Sequence, residues 1–197
     1  MLSLSNQHII ILYNMSEYNE SEIIIQLQDK NTQQKAFEGI VNRFSEPLYW
    51  HIRKMVLSHD DANDLLQNTF MKAWINIESF RGESKLSTWL YRIAINECIT
   101  FLNRQKMRNQ VSISNDEMPL LNILESDEYF EGDEAQLKLQ KAIVTLPEKQ
   151  RLVFNMRYFD DMKYEEMSEI LGTSVGALKA SYHHAVKKIE DYLMNTL

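Results

Sequence analysis

Apolar residues recur along this chain at intervals of three and four, the spacing that places side chains on one buried face of an α-helix. The clearest run predicts a helix from Asp60 to Ser79, capped by Asp60. Its buried face is expected to contain Ala62, Leu66, Phe70, Ala73 and Ile77. The opposite side carries a second set at helical spacing: Asp64, Gln67, Asn68 and Met71. This second strip is expected to face either water or a partner protein.

A turn at residues 81–84 separates this helix from a second predicted helix, Leu86 to Arg108. Its core positions are Leu90, Ile93, Ala94, Phe101 and Leu102. Another stripe mixes cations with amide and hydroxyl groups: Lys85, Thr88, Arg92, Asn96, Thr100 and Asn103. Cations bind phosphates and amides can bond base edges, so this stripe indicates a nucleic-acid surface. The nearby aromatic residues Phe80, Trp89 and Tyr91 suit stacking on unpaired bases, although Trp89 fits helix packing better.

The remaining patterns also predict helices. A short one covers Glu20 to Leu27, and a long one runs from Thr32 or Gln33 to Leu57, where Pro47 should bend or strain it. Four more are predicted near the carboxyl end, at residues 133–145, 148–159, 163–171 and 175–193. Gly172 suits the turn before the last helix because glycine adopts a positive φ at little energetic cost. Ser174 or Thr173 can cap that helix.

Composition supports an all-α fold and divides the chain into four parts. Five Gly and three Pro among 197 residues are few for the many turns that a sheet of several strands requires. Residues 1–13 match no helix or strand template, residues 1–19 are expected to be a disordered leader, and translation is expected to begin at Met15. Residues 20–108 form a first helical domain, 109–132 an acidic linker with weak periodicity, and 133–197 a helix-turn-helix domain.

Charge is unevenly distributed along the chain. The net charge of −7 argues against tight duplex binding by the chain alone, because non-specific affinity comes from neutralised phosphates. Residues 81–108 nevertheless carry six basic side chains against two acidic ones, whereas residues 115–134 carry eight carboxylates and neither Lys nor Arg. This asymmetry predicts two charged surfaces with different partners.

Other classes of protein lack support in the sequence. The chain has no apolar run of membrane-spanning length and no signal peptide, so a cytoplasmic location without membrane insertion is expected. Cys98 is expected to be a small buried hydrophobe. His183 and His184 are adjacent and point in different directions on a helix. We therefore expect no catalytic residues, no metal site and no cofactor.

Three stretches in order resemble the promoter-melting domain of bacterial extracytoplasmic-function sigma factors, the small two-domain members of the sigma-70 family. They read DLLQNTFMKAW at 64–74, SFRGES at 79–84 and TWLYRIAIN at 88–96. The carboxy-terminal part resembles the minus-35-binding domain of the same family, through Leu146-Pro147, Tyr164-Glu165-Glu166, Leu171-Gly172 and VGALKAS at 175–181.

The resemblance implies a sigma factor that binds core RNA polymerase, recognises minus-10 and minus-35 promoter elements and initiates transcription. Its implied partners are core RNA polymerase, promoter DNA and an anti-sigma factor. Polymerase contacts would be Asp64, Gln67, Asn68 and Met71. Minus-10 contacts would be Arg81, Lys85, Ser87, Thr88, Arg92 and Asn96. Minus-35 contacts would be Ser174, Lys179, Ser181, His183 and Lys187.

Two departures from the family pattern and one alternative function accompany this interpretation. Asn68 stands where the family usually has Glu, which predicts a weaker polymerase contact. Residues 182–188 read YHHAVKK where the family often shows several arginines, so the bases read by this helix are left open. The alternative is a stand-alone helix-turn-helix regulator, which leaves the polar stripe between Lys85 and Asn103 unexplained.

Overall fold

The computed structural model describes residues 19–109 and 134–195, and these form eight α-helices and one short 3-10 turn. The first bundle consists of α1 (Glu20–Gln28), α2 (Gln33–Val56), α3 (His59–Ile75), the 3-10 turn (Ile77–Ser79) and α4 (Leu86–Asn109). The second bundle consists of α5 (Glu134–Val144), α6 (Glu148–Tyr158), α7 (Tyr164–Leu171) and α8 (Val175–Asn195). The all-α prediction is confirmed. The predicted start at Met15, the leader up to residue 18 and the linker from residue 110 lie outside the described residues.

Helix α3 begins earlier than its sequence pattern predicts. The predicted cap at Asp60 is wrong: Ser58 is the capping residue, and its hydroxyl accepts a hydrogen bond from the Asp61 N–H at 3.2 Å. Asp60 and Asp61 lie in the first turn instead, where their negative charge stabilises the unpaired N–H groups at the helix start. The helix also ends at Ile75 rather than Ser79, because Asn76 leaves the helical conformation before the 3-10 turn.

Pro47 lies inside α2, which continues through it without a boundary. A proline at this position removes one main-chain hydrogen-bond donor from the helix. The helix ends at Val56 and is capped by Leu57, a left-handed residue with φ of 64° whose N–H donates to the Arg53 carbonyl at 2.9 Å. The chain therefore reverses quickly into Ser58 and α3, which packs against α2.

The core of the first bundle follows the predicted stripes with some shifts. On α3, Leu65 is buried while Leu66 is half-buried. On α4 the predicted positions Ile93 and Phe101 are only half-buried. The apolar side chains that α4 buries are Leu86, Leu90, Ala94, Ile95, Cys98 and Leu102. The difference arises because α4 packs against α2 and α3 on one side and against α7 on another, so its buried surface is wider than one stripe.

Two predictions for the second bundle are confirmed at the turn between α7 and α8. Gly172 ends α7 with φ of 62°, and its N–H donates to the Ser168 carbonyl at 2.9 Å. The Ser174 hydroxyl accepts from the Ala177 N–H at 3.3 Å and thereby caps α8. Helix α8 packs against α5, α6 and α7. The core between these helices contains Ile143, Leu146, Phe154, Ala185 and Ile189.

The two bundles also pack against each other. Helix α7 lies on α4, and α6 lies on α2. Met156 of α6 and Met167 of α7 are fully buried in the same hydrophobic cluster as the core of the first bundle. Next to these contacts a cleft of about 890 Å³ is lined by α1, α2, the start of α4 and the segment from Asp160 to Ile170. None of the described helices is both long enough and apolar enough to cross a membrane.

Candidate nucleic-acid interface

A partly apolar strip lies exposed along α3. Its four predicted polymerase contacts, which we call the polymerase strip, are all exposed: Asp64, Gln67, Asn68 and Met71. Met71 keeps 60% of its surface accessible, and Trp74 and Ile75 extend the apolar part of the strip to the end of the helix. The Trp74 ring meets the Phe37 ring edge-on, with centroids 5.0 Å apart, so its orientation is fixed while one side stays accessible. A rigid polar surface with such exposed apolar groups suits a protein partner.

The exposure of Trp74 and Ile75 was not predicted from their positions in the pattern. Both lie outside the buried face of α3. Their positions between the periodic apolar residues could have predicted this exposure. Large apolar side chains that fall off the buried stripe of an amphipathic helix are candidates for a binding surface.

The turn before α4 positions the first of the predicted minus-10 residues. Gly82 has φ of 72°, and a Cβ at this position would lie 3.2 Å from the Ile24 side chain, so glycine allows the turn to lie close to α1. A carboxylate of Glu20 accepts a hydrogen bond from the Leu86 N–H at the start of α4. The turn therefore presents Arg81 and Lys85 as exposed side chains on an anchored backbone.

The predicted minus-10 residues on α4 differ in accessibility. Arg92 and Asn96 are exposed, and the Asn96 main-chain carbonyl accepts a hydrogen bond from the Thr100 hydroxyl. Ser87 is half-buried. Thr88 keeps only 3% of its surface accessible, so it cannot reach a base in this arrangement.

Acceptor groups of the second bundle contact cations at the start of α4 and along it. Lys85 Nζ lies 2.6 Å from Glu166 Oε1 on α7. The hydrogen bond and the charge of Glu166 raise the pKa of Lys85 above its ordinary value. Burial alone would raise the pKa of Glu166, but hydrogen bonds from Lys85 and from the Lys163 N–H outweigh it and lower that pKa. Both groups are therefore held in their charged forms.

Two further contacts join the same surfaces. Arg92 Nη2 donates to the Glu169 carbonyl at 2.6 Å, and Lys106 Nζ lies 2.7 Å from Glu148 Oε2. Arg92 and Lys106 both belong to the basic stretch between Arg81 and Arg108. Among the predicted minus-10 residues, Lys85 and Arg92 thus contact α7, whereas Lys106, outside that set, contacts the start of α6.

A buried polar bridge lies between α2 and the end of α6. Asp160 Oδ2 lies 2.5 Å from His51 Nδ1, and Asp160 Oδ1 lies 3.4 Å from Lys54 Nζ. Asn155 Nδ2 donates to the Lys54 carbonyl at 3.3 Å. Within the described ranges, His51 Nε2 and Asn155 Oδ1 are buried and lack a hydrogen-bond partner. Sequence reasoning missed this bridge because the residues are about a hundred positions apart and no local pattern connects them.

Helix α8 presents a row of exposed basic groups to solvent. Lys179, His183 and Lys187 follow one another at intervals of four and are all exposed, which places them on one face. Lys179 also lies over the Tyr164 ring, 5.6 Å from its centroid. The Ser174 hydroxyl, by contrast, is engaged as the helix cap, and Ser181 is half-buried and lies away from the row. The row is typical of a helix that binds phosphates and base edges in a major groove.

Comparison with known families identifies both bundles. Residues 40–108 match the model of Sigma-70 region 2, and residues 136–189 match the model of Sigma-70, region 4. The first match covers the polymerase strip and the predicted minus-10 residues, and the second covers α7, the turn and the basic row of α8. Because both regions match in this order, a stand-alone regulator that uses the second bundle alone is not favoured.

Known proteins resemble the chain over most of its length. The extracytoplasmic-function sigma factor SigW of Bacillus subtilis is 29% identical over 174 residues, covering 84% of this chain and 93% of SigW. The extracytoplasmic-function sigma-E factor of Escherichia coli is 29% identical over 185 residues, covering 90% of this chain and 96% of that protein.

Two solved structures share the fold. Sigma factor RpoE of Bartonella quintana, crystallised with the anti-sigma factor NepR, has a TM-score of 0.67 and 24% identity, covering 81% of this chain and 98% of that chain. CnrH, in complex with the cytosolic domain of CnrY, has a TM-score of 0.64 and 22% identity, covering 89% of this chain and 97% of that chain. With two sigma regions matched in order and relatives aligned over more than nine-tenths of their own length, the chain belongs to the extracytoplasmic-function group of the sigma-70 family of RNA polymerase sigma factors.

Proposed function

We propose that this sigma factor binds core RNA polymerase through the polymerase strip of α3, extended by Trp74 and Ile75. The observation that carries this assignment is the exposure of Met71, Trp74 and Ile75 beside polar groups on one rigid helix. Exposed apolar side chains rimmed by polar ones mark protein-binding surfaces. Core RNA polymerase is the partner that the function of a sigma factor requires.

We further propose that the two bundles are separate promoter-reading domains, residues 20–108 and 133–197, joined by residues 109–132. The first domain would bind the minus-10 element through Arg81, Lys85, Arg92 and Asn96, with Ser87 and Thr88 beside them. Cations there would hold phosphates, while the Asn96 amide offers a donor and an acceptor to a base edge.

The second domain would bind the minus-35 element as a duplex through α8. Lys179, His183 and Lys187 form its basic face, and Ser174 lies at the amino-terminal end that enters a major groove in helix-turn-helix proteins. Ser181 would contact the same DNA from a neighbouring face of α8. The acidic chain would bind promoters tightly only as part of the polymerase complex, because its net charge of −7 opposes binding to DNA alone.

In this account the chain contributes binding and not catalysis, as is true of the sigma family, and RNA synthesis belongs to the polymerase. We place its action in the cytoplasm, with the polymerase. We also include an anti-sigma factor among its partners, because RpoE and CnrH, the two fold relatives, were solved with NepR and CnrY.

Charge reversal on the polymerase strip tests the assignment. Asp64→Lys should weaken core polymerase binding, because Asp64 is exposed and its replacement places the opposite charge in the interface. Glu190→Lys on α8 makes the same change in charge at an exposed site outside the strip. Core affinity is measured by pull-down and helicity by circular dichroism. Equal core affinity for Asp64→Lys and Glu190→Lys, with both variants folded, would overturn the assignment.

A further inference from the structure

Helix α4 begins without a capping side chain of its own. Lys85 precedes the helix, and its carbonyl accepts a hydrogen bond from the Trp89 N–H at 3.0 Å. A lysine ammonium only donates hydrogen bonds, so it cannot accept one from the free N–H groups of the first helical turn. That turn also contains no acidic residue whose charge would stabilise these groups.

Helix α1 supplies the missing acceptor from a distant part of the sequence. The half-buried Glu20 carboxylate accepts a hydrogen bond from the N–H of Leu86, the first residue of α4. A carboxylate that accepts from a main-chain N–H at a helix start makes a charge-assisted hydrogen bond, about twice as strong as one between neutral groups. Because the two residues are 66 positions apart, this contact fixes the start of α4 relative to α1.

A second contact from α1 supports the turn before α4. Gly82 has φ of 72°, and an added Cβ would lie 3.2 Å from Cδ1 of Ile24, which itself packs on the core of the first bundle. Where the turn begins, Phe80 is buried and its ring centroid lies 5.0 Å from that of Trp89. The turn is thus held at both ends and in the middle, and α1 makes two of these three contacts.

We infer that α1 is a positioning element for minus-10 recognition, in which Glu20 fixes the start of α4 and Ile24 supports the turn before it. The inference rests on the proposed function, because it assumes that Arg81 and Lys85 contact the minus-10 element. Neither Glu20 nor Ile24 touches DNA in this role. The match to Sigma-70 region 2 begins at residue 40 and does not include α1. Both contacts lie within the first bundle, so the role does not depend on the position of the second.

Loss of this support should affect base contacts more than phosphate contacts. The long side chains of Arg81 and Lys85 can follow a phosphate through small changes in the main chain, whereas a hydrogen bond to a base edge requires a defined distance and angle. Loss of a helix cap changes a local equilibrium by about 2- to 30-fold. The preference for the best minus-10 base should therefore decrease by up to that factor, while the minus-35 preference, which depends on α8, should not change.

Amide exchange followed by NMR reports the Glu20 contact directly in the free full-length chain. The Leu86 N–H should exchange about 2- to 30-fold faster in Glu20→Ala than in wild type. Glu22→Ala is the matched control, because Glu22 is exposed and lies in the same first turn of α1. Equal exchange of the Leu86 N–H in wild type and Glu20→Ala would overturn the contact and the positioning role with it.

A promoter library varied in both elements tests the role during transcription by the reconstituted polymerase. Glu20→Ala should flatten the minus-10 preference at least about twofold, whereas Glu22→Ala should match wild type. Glu20→Gln loses the charge but keeps an acceptor oxygen, so its preference should lie between those of wild type and Glu20→Ala. Equal losses in Glu20→Gln and Glu20→Ala would assign the effect to the charge of Glu20 near Lys85 and would contradict the positioning role.

A second pair of variants tests the support of the turn without changing any charge. Ile24→Ala removes the side-chain atoms that face Gly82, whereas Ile25→Ala makes the same truncation at a neighbouring residue that is 68% exposed. Ile24→Ala should flatten the minus-10 preference in the same direction as Glu20→Ala, and Ile25→Ala should match wild type. Because only one of the two effective variants alters a charge, a shared effect cannot come from electrostatics.

The outcomes separate this inference from the proposed function. A minus-10 preference that Glu20→Ala and Ile24→Ala both retain would overturn the positioning role and leave the proposed function intact. Equal losses of the minus-10 and minus-35 preferences would indicate a general folding defect and would also contradict the positioning role. Absence of any minus-10 preference from wild-type transcripts would overturn the proposed function, and the positioning role would fall with it.

Discussion

Replacing Asn96 by Ala should remove sequence discrimination at one base of the minus-10 element without weakening the fold. The side chain is exposed on α4, and the main-chain carbonyl of Asn96 accepts a hydrogen bond from the Thr100 hydroxyl at 2.7 Å. Exposed substitutions usually change the free energy of unfolding by less than about 0.5 kcal/mol, and alanine is the better helix former. Any loss of activity should therefore come from DNA recognition.

The expected magnitude follows from what the amide offers. A donor and an acceptor on one base edge contribute about 1–3 kcal/mol of discrimination, which corresponds to a preference of about 5- to 150-fold at one position. Arg92→Ala, in contrast, removes a cation that reads no sequence. It should weaken all promoters alike, and its effect should decrease as salt concentration rises.

A promoter library transcribed by the reconstituted polymerase measures both effects. Asn103→Ala is the matched control, since Asn103 is also exposed and lies two helical turns beyond Asn96 on the same face. The reasoning predicts a flattened preference at one position for Asn96→Ala and an unchanged profile for Asn103→Ala. Lower activity of Asn96→Ala with every base preference retained would refute it and assign Asn96 a structural role.

Three further predictions follow from the described contacts. Lys187→Ala should make the log-log salt dependence of minus-35 duplex binding shallower by about 0.9, while Lys149→Ala, at an exposed site on α6, should not change the slope measured by fluorescence anisotropy. The Lys85–Glu166 pair should contribute fully between the ordinary pKa of Glu166, 4.5, and that of Lys85, 10.5. Its contribution should be lost as pH falls through the lowered pKa of Glu166 or rises through the raised pKa of Lys85, as read from the difference in urea unfolding between wild type and Glu166→Gln at each pH. Cys98 is fully buried and its pKa is raised to about 12, so iodoacetamide should label it only after unfolding in urea, as mass spectrometry will show.

The spacing of apolar residues predicted most of the helices, because a helix depends mainly on residues that are close in the sequence. Gly172 was predicted at the turn before α8 and the cap was narrowed to Ser174 or Thr173, since a left-handed residue and a capping hydroxyl have strong residue preferences. The start of α3 was misplaced because Ser58 and Asp60 both favour a cap position, and periodicity alone does not choose between them. Boundaries depend on such small differences in free energy.

The relation between the bundles was not predictable in the same way. Asp160 contacts His51 and Lys54 across more than a hundred residues, and no periodicity connects the two stretches. The burial of Thr88 likewise depends on tertiary packing, although its position on the polar stripe predicted an accessible side chain. The sequence pattern therefore did not predict which residues of the polar stripe the tertiary packing buries.

Start-site mapping with purified components tests the sigma assignment most directly. Core RNA polymerase is incubated with genomic fragments of the source organism, with and without the chain, and transcript starts are sequenced. The account predicts discrete starts that depend on the chain and share two upstream elements, and it predicts their loss with Asp64→Lys at limiting concentration. Transcript starts that are the same with and without the chain would contradict it.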